Sequence, residues 1–219
     1  MSQETSSGKL ILVPALITLA ITLLRLVGEL QGWSPALFSR EAGGGGALVG
    51  ISWLVPFFGA WFGWKLAKAG GSPGRIGPAL LVAVLAFALL PALGFGGIKA
   101  ASLNPQGFGA FGLFVVLAFA GLALGFRAWP ALGKVLLQYA LAARVPVILV
   151  MLVAMLGNWG THYDVAPPDF PAMSTLAKWV IIGLLPQMTI WIWFTMAMGG
   201  LVGALAAAVA GRARRPALA

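Results

Sequence analysis

The sequence predicts an all-α polytopic membrane protein, a bundle of six transmembrane helices, on three observations. Hydrophobic residues form 60% of the chain and charged residues 9%, whereas soluble domains carry about 25% charged residues. The mean hydropathy is +0.97. The apolar residues are gathered into runs of about 20, the length an α-helix needs to cross a bilayer. Period-2 alternation of barrel type is absent, and a backbone in hydrocarbon must bond to itself, so the spans are expected to be helices.

Those runs cover residues 10–30, 47–66, 76–96, 108–126, 136–156 and 176–210. Turn-forming stretches separate them: QGWSP (31–35) with GGGG (43–46), GGSPGR (70–75), SLNPQG (102–107), RAWP (127–130) and GNWGTHYDVAPPDFP (157–171). The 219 residues leave room for one membrane domain, 10–210, between a cytoplasmic tail, 1–9, and a basic cytoplasmic tail, 211–219. MSQETSSGK has one lysine ahead of the first apolar run, and no A-x-A-like site precedes Arg25, which reads as an uncleaved first span. The last segment is too long for one straight crossing, since residues 173–210 would measure about 57 Å as a helix. The expected break lies at GLLPQ, near Pro186, where proline removes a donor and Gly183 loosens the turn before it. Gln187 and Thr189 then sit at the break. Interrupted helices with polar residues at the gap form midplane sites in transporters. Pro91 holds only a loosely corresponding place in the third run, and the two halves show no repeat.

The cations orient the bundle. With a cytoplasmic N-terminus, one side collects Lys9, Lys65, Lys68, Arg75, Arg127, Lys134, Arg144, Arg212, Arg214 and Arg215, and the other only Arg40, Lys99 and Lys178. Positive residues favour the cytoplasmic side, so both termini are expected there and the location is the inner (cytoplasmic) membrane. An odd number of spans would destroy the separation. The same topology gathers Glu29, Glu41, His162, Asp164 and Asp169 at the outer end. The net charge of +9 thus reflects orientation in the bilayer and not nucleic-acid binding, whose basic footprint is a clustered patch on a soluble surface.

Arg25 lies inside the first span. It is about 22 Å along the helix, within a hydrocarbon core roughly 30 Å thick, and its side chain leans toward the helix N-terminus, deeper into the membrane. An unpaired arginine there costs at least about 2.5 kcal/mol. It is expected to face the bundle interior and to pair with Glu29, four residues on and on the same face, with Asp164, Asp169 or Gln187 as further contacts. A clamp tying the first helix to the 157–171 loop is one reading. A ligand site is the other, because a guanidinium grips carboxylate and phosphate with two parallel bonds. Arg144 enters from the cytoplasmic end of the fifth run, so its lean is expected to carry it back to the headgroups.

Gly59/Gly63, Gly121/Gly125 and Gly199/Gly203 form G-x-x-x-G pairs that predict close helix contacts, within the chain or with another copy. Trp33, Trp53, Trp129, Trp159 and Trp179 fall near span ends, as an aromatic belt requires, while Trp191 and Trp193 read as packing residues. The GGGG run reads as a flexible lead into the second span rather than as a set of amides for an anion.

Enzyme motifs are missing: there is no H-E-x-x-H, no P-loop, no G-x-S-x-G and no cysteine. His162 with Asp164 and Asp169 is thin support for zinc, which takes three or four ligands. No catalytic residue, metal or cofactor is therefore assigned. The candidate ligand site is Arg25, Glu29, His162, Asp164, Asp169 and Gln187, which would receive a small polar or lipid ligand in a carrier or receptor. The competing role is a non-catalytic scaffold subunit, held to a membrane complex or to a second copy by its glycine faces.

Overall fold

The computed structural model describes residues 7–103, 108–168 and 170–212; Asp169, Arg214 and Arg215 lie outside the described residues. The protein is an all-α polytopic membrane protein with five to six long apolar helices. The helices are labelled α1 (Ser7–Leu30), α2 (Leu54–Lys68), α3 (Ile76–Ala100), α4 (Phe108–Ala128), α5 (Pro130–Gly157), α6 (175–188) and α7 (Ile190–Arg212), of which α2 and α6 are short. Among the described residues, five segments are long and apolar enough to cross a membrane: α1, α3, α4, α5 and the Thr175–Gly211 stretch that α6 and α7 form together.

Local chemistry explains where the helices depart from the apolar runs. Residues 47–53 are not helical, and α2 starts at Leu54, which places Pro56 in the first turn, where its missing N–H costs nothing. The 15-residue α2 is therefore shorter than its run. α5 starts six positions ahead of its run, at Pro130, again a favoured opening residue. Leu90–Phe95 in α3 and Trp179–Leu184 in α6 are π-helical turns. Pro91 lies in the first and Pro186 just beyond the second, and the wider turn relieves the clash between the ring and the preceding carbonyl. Thr189 is a turn residue between α6 and α7.

The chain divides into two compact units. The first holds residues 1–11, 54–140 and 189–219, and its closest packing is between α2 and α7. A Cβ on Gly59 would lie 2.5 Å from the Gly199 Cα, and one on Gly63 would overlap the Gly203 carbonyl. Two of the glycine pairs thus face each other inside the chain, which lets the backbones touch. Leu136 and Leu132 of α5 close over Gly199 and Gly203. Trp193 donates its indole N–H to the Ala86 carbonyl at 3.1 Å and stacks on Phe87. Trp129 is no belt residue. It is buried, and its Nε1 donates to the Gly71 carbonyl at 2.6 Å, joining the α4–α5 corner to the α2–α3 turn.

The second unit holds residues 12–53 and 141–188. Its core is Val147, Met151, Ala154, Met155 and Tyr163, with Leu26, Ile51, Trp179 and Ile182 packed around it. Trp179 donates to the Ile148 carbonyl at 3.0 Å and so fixes α6 on α5. Arg144 does not reach toward the headgroups. Because α5 starts early, Arg144 stands midway along its 28 residues, too far from the end to leave by leaning one turn. It is buried, and its Nη1 donates to Gln187 Oε1 at 3.4 Å.

Candidate functional site

The site is built on one buried face of α1. Pro14, Thr18, Thr22, Arg25 and Glu29 recur at spacings of three and four, which places them on one face of α1. That face is buried, while Leu12, Leu16, Leu23 and Val27 point away from the protein. The threonines satisfy their hydroxyls within the helix, Thr18 donating to the Pro14 carbonyl at 2.8 Å and Thr22 to the Thr18 carbonyl at 2.9 Å. They leave a polar stripe that ends on the two charged residues.

Arg25 spends its donors on three partners. Nε donates to Glu29 Oε1 at 2.8 Å, and Nη2 donates to the carbonyls of Gly44 at 3.0 Å and Ser39 at 3.2 Å. Glu29 is completely buried. Its Oε2 accepts the His162 backbone N–H at 2.8 Å, and its Oε1 accepts the His162 ring at Nδ1, 2.5 Å away. A neutral imidazole in this contact carries its proton on Nδ1. Arg40 covers the backbone, donating from Nε to the Glu29 carbonyl at 2.7 Å and from Nη2 to the same oxygen. A cation at the last carbonyls of a helix is favoured there by the helix dipole.

The GGGG run is neither a slack lead nor an anion cradle. Gly43, Gly44 and Gly46 all have φ between +74° and +76° or, for Gly44, +73°, and the run presents a carbonyl, not amides, to the site. A Cβ on Gly44 would stand 2.8 Å from His162 Cδ2 and 3.1 Å from Arg25 Nη2. Only glycine permits this approach.

The loop that brings in His162 is organised by Asp164. Its Oδ1 accepts the Thr161 N–H and hydroxyl, both at 2.7 Å, and its Oδ2 accepts the Gly160 N–H at 2.9 Å. Asp164 therefore holds the loop and makes no hydrogen bond to Arg25. Tyr163 reaches down α1 and donates to the Thr22 carbonyl at 3.2 Å, with its ring against that of His162.

Comparison with protein-family models, with curated proteins and with solved structures gives no match. The reading of the site rests on its own chemistry.

Burial holds the His162 imidazole below its ordinary pKa of 6.5, and the hydrogen bond to Glu29 opposes that only in part. The ring is thus neutral at pH 7. Burial also pushes the Tyr163 hydroxyl well above its ordinary range. Of the residues singled out from sequence, Arg25, Glu29 and His162 meet directly, Asp164 stands one step behind them, and Gln187 bonds to Arg144 instead. Asp169 lies outside the described residues. Ser39, Arg40, Gly44 and Tyr163 were not anticipated. The threonine–arginine–glutamate spacing on α1 was a readable signal for the stripe. The carbonyls of the 39–46 loop were not, because backbone acceptors leave no mark on composition.

Proposed function

We propose that the protein is a carrier or receptor for a small polar or anionic ligand, with its outward site at Arg25, Glu29 and His162. The supporting observation is how Arg25 is satisfied. One of its nitrogens is held by a carboxylate, but Nη2 rests on two neutral loop carbonyls. A carboxylate or phosphate oxygen is a stronger acceptor for a guanidinium than a neutral carbonyl. A ligand anion entering beside the glycine loop would displace Ser39 and Gly44 while Glu29 keeps the guanidinium in place. His162, partly accessible at its ring, would supply the second polar contact.

The topology that suits this role has six crossings, with α2 as a short second one and the last segment broken near Pro186. Both termini are cytoplasmic and the membrane is the inner one, so the site faces outward. The scaffold reading loses its main support, since the α2 and α7 glycine pairs are occupied by each other.

The experiment is a thermal-stability screen of the purified protein in mild detergent against small carboxylates and phosphates. A ligand raises the melting temperature of the wild type and not that of Arg25→Ala. If no anion shifts the wild type, or if Arg25→Lys and Arg25→Ala yield no folded protein, the cluster is a structural clamp and the proposal fails.

A further inference from the structure

Within the first unit, the far end of α3 borders a cavity of about 470 Å³, lined by Phe95, Ile98, Lys99, Ser102, Leu103 and Phe114. Small-molecule sites run from about 300 to 1,000 Å³. The aromatic wall is already in place. Phe95 and Phe114 meet edge to face at 5.6 Å, and Gly94 makes room for the Phe114 ring, which a Cβ at that position would overlap. Four of the six walls are apolar, and the two polar side chains, Lys99 and Ser102, stand three residues apart.

Ser102 is an unexpected residue for its place. The Leu103 N–H donates to the Ile98 carbonyl at 3.0 Å and the Ser102 N–H to the Lys99 carbonyl at 3.2 Å, the paired bonds of a Schellman helix end. Such an end closes on a left-handed residue, which is why glycine or asparagine favours it. α1, α2 and α5 follow that preference, with Gly32, Gly70 and Asn158 at the corresponding position. α3 closes on Ser102 at φ +50°. A glycine would relieve the backbone there but would take the hydroxyl out of the cavity wall.

We propose that this cavity binds an anionic phospholipid, its phosphate against the Lys99 ammonium and the Ser102 hydroxyl and its first methylenes against Phe95, Ile98, Leu103 and Phe114. The depth suits a lipid. α3 is 25 residues long, about 37 Å at 1.5 Å per residue, so its last turn clears a hydrocarbon core of roughly 30 Å and reaches the headgroups. The ammonium binds phosphate through charge-assisted hydrogen bonds, and the apolar walls gain dispersion contacts with the chain. A free phosphate leaves those walls empty, and a lipid with no net charge gains less from Lys99. The site is separate from the Arg25 cluster and does not depend on that cluster's role.

The chain has no cysteine, so Leu103→Cys puts a single thiol in the cavity wall. The full chain in mild detergent is labelled with a water-soluble maleimide in the presence of dioleoyl phosphatidylglycerol, dioleoyl phosphatidylcholine or inorganic phosphate at equal concentration. Phosphatidylglycerol is expected to protect the thiol about fivefold better than phosphatidylcholine, the scale of one lysine at a membrane surface. Inorganic phosphate should leave the labelling rate unchanged. Adding Lys99→Gln should make the two lipids protect equally. Adding Ser102→Gly should raise the melting temperature while weakening protection by phosphatidylglycerol, two opposite movements that a purely structural serine would not produce. Phe95 is 67% exposed, and Phe95→Cys carries the thiol if Leu103→Cys does not fold. Equal protection by the two lipids overturns the proposal. So does a preference that survives Lys99→Gln, or protection by inorganic phosphate alone.

Discussion

His162 closes on Glu29 with both its backbone amide and its ring, across 133 positions of sequence. The carboxylate thereby joins α1 to the 158–174 loop while also holding Arg25. A single buried group serves three contacts, so its loss leaves more than one partner stranded.

Replacing Glu29 by Gln should therefore be severe. The guanidinium keeps its charge but loses the carboxylate on its Nε, and breaking a buried pair by removing one partner typically costs about 3–5 kcal/mol. Folded yield and melting temperature in detergent report the loss. A double-mutant cycle with Arg25→Met should return a coupling of at least about 1 kcal/mol; additive effects would mean that the two residues are stabilised independently.

The neutral His162 sets an acid limb on stability. Its pKa in the folded protein lies below the ordinary 6.5 because burial disfavours the charged ring. Such a group contributes stability that is present above the unfolded value and is lost as pH falls through the folded value. Melting temperature should be level above about pH 7 and decline below about 6.5. The charged groups facing the ring are Glu29, Arg25 and Asp164. His162→Gln should flatten the decline between about pH 6.5 and 5. An unchanged limb in that variant would assign it elsewhere.

Adjacent glycines in one loop should respond differently to alanine. Gly43 and Gly44 share a left-handed backbone, but a Cβ on Gly43 meets nothing within 4 Å, whereas one on Gly44 meets His162 and Arg25. Gly43→Ala should cost the backbone penalty alone, about 1–2 kcal/mol. Gly44→Ala adds overpacking of about 1–3 kcal/mol and should loosen His162, visible as a downfield shift in the ring protons or as faster loop proteolysis. Equal losses would show that the loop does not press on the cluster.

Helix glycines should divide in the same way. A Cβ on Gly63 has no room beside the Gly203 carbonyl, and the obstacle is backbone, so Gly63→Ala should destabilise by about 1–3 kcal/mol. Gly200→Ala enters open space and should stabilise by up to about 1 kcal/mol. Melting temperatures moving in the same direction would refute the α2–α7 contact.

Composition, run length and spacing are enough for the class of protein, the rough course of its apolar segments and the pairing of Arg25 with Glu29. These follow from local or additive physics: transfer of apolar side chains from water, the 3.6-residue turn, and the cost of a lone guanidinium in hydrocarbon. The packed fold was needed to show which backbone carbonyls complete the shell of Arg25, that Asp164 bonds its own loop, that Gln187 meets Arg144, and that the α2 and α7 glycines face one another. Those outcomes depend on where segments far apart in the chain come to lie, and on backbone acceptors that every residue possesses alike. A carbonyl acquires its role from position alone, so no residue type announces it.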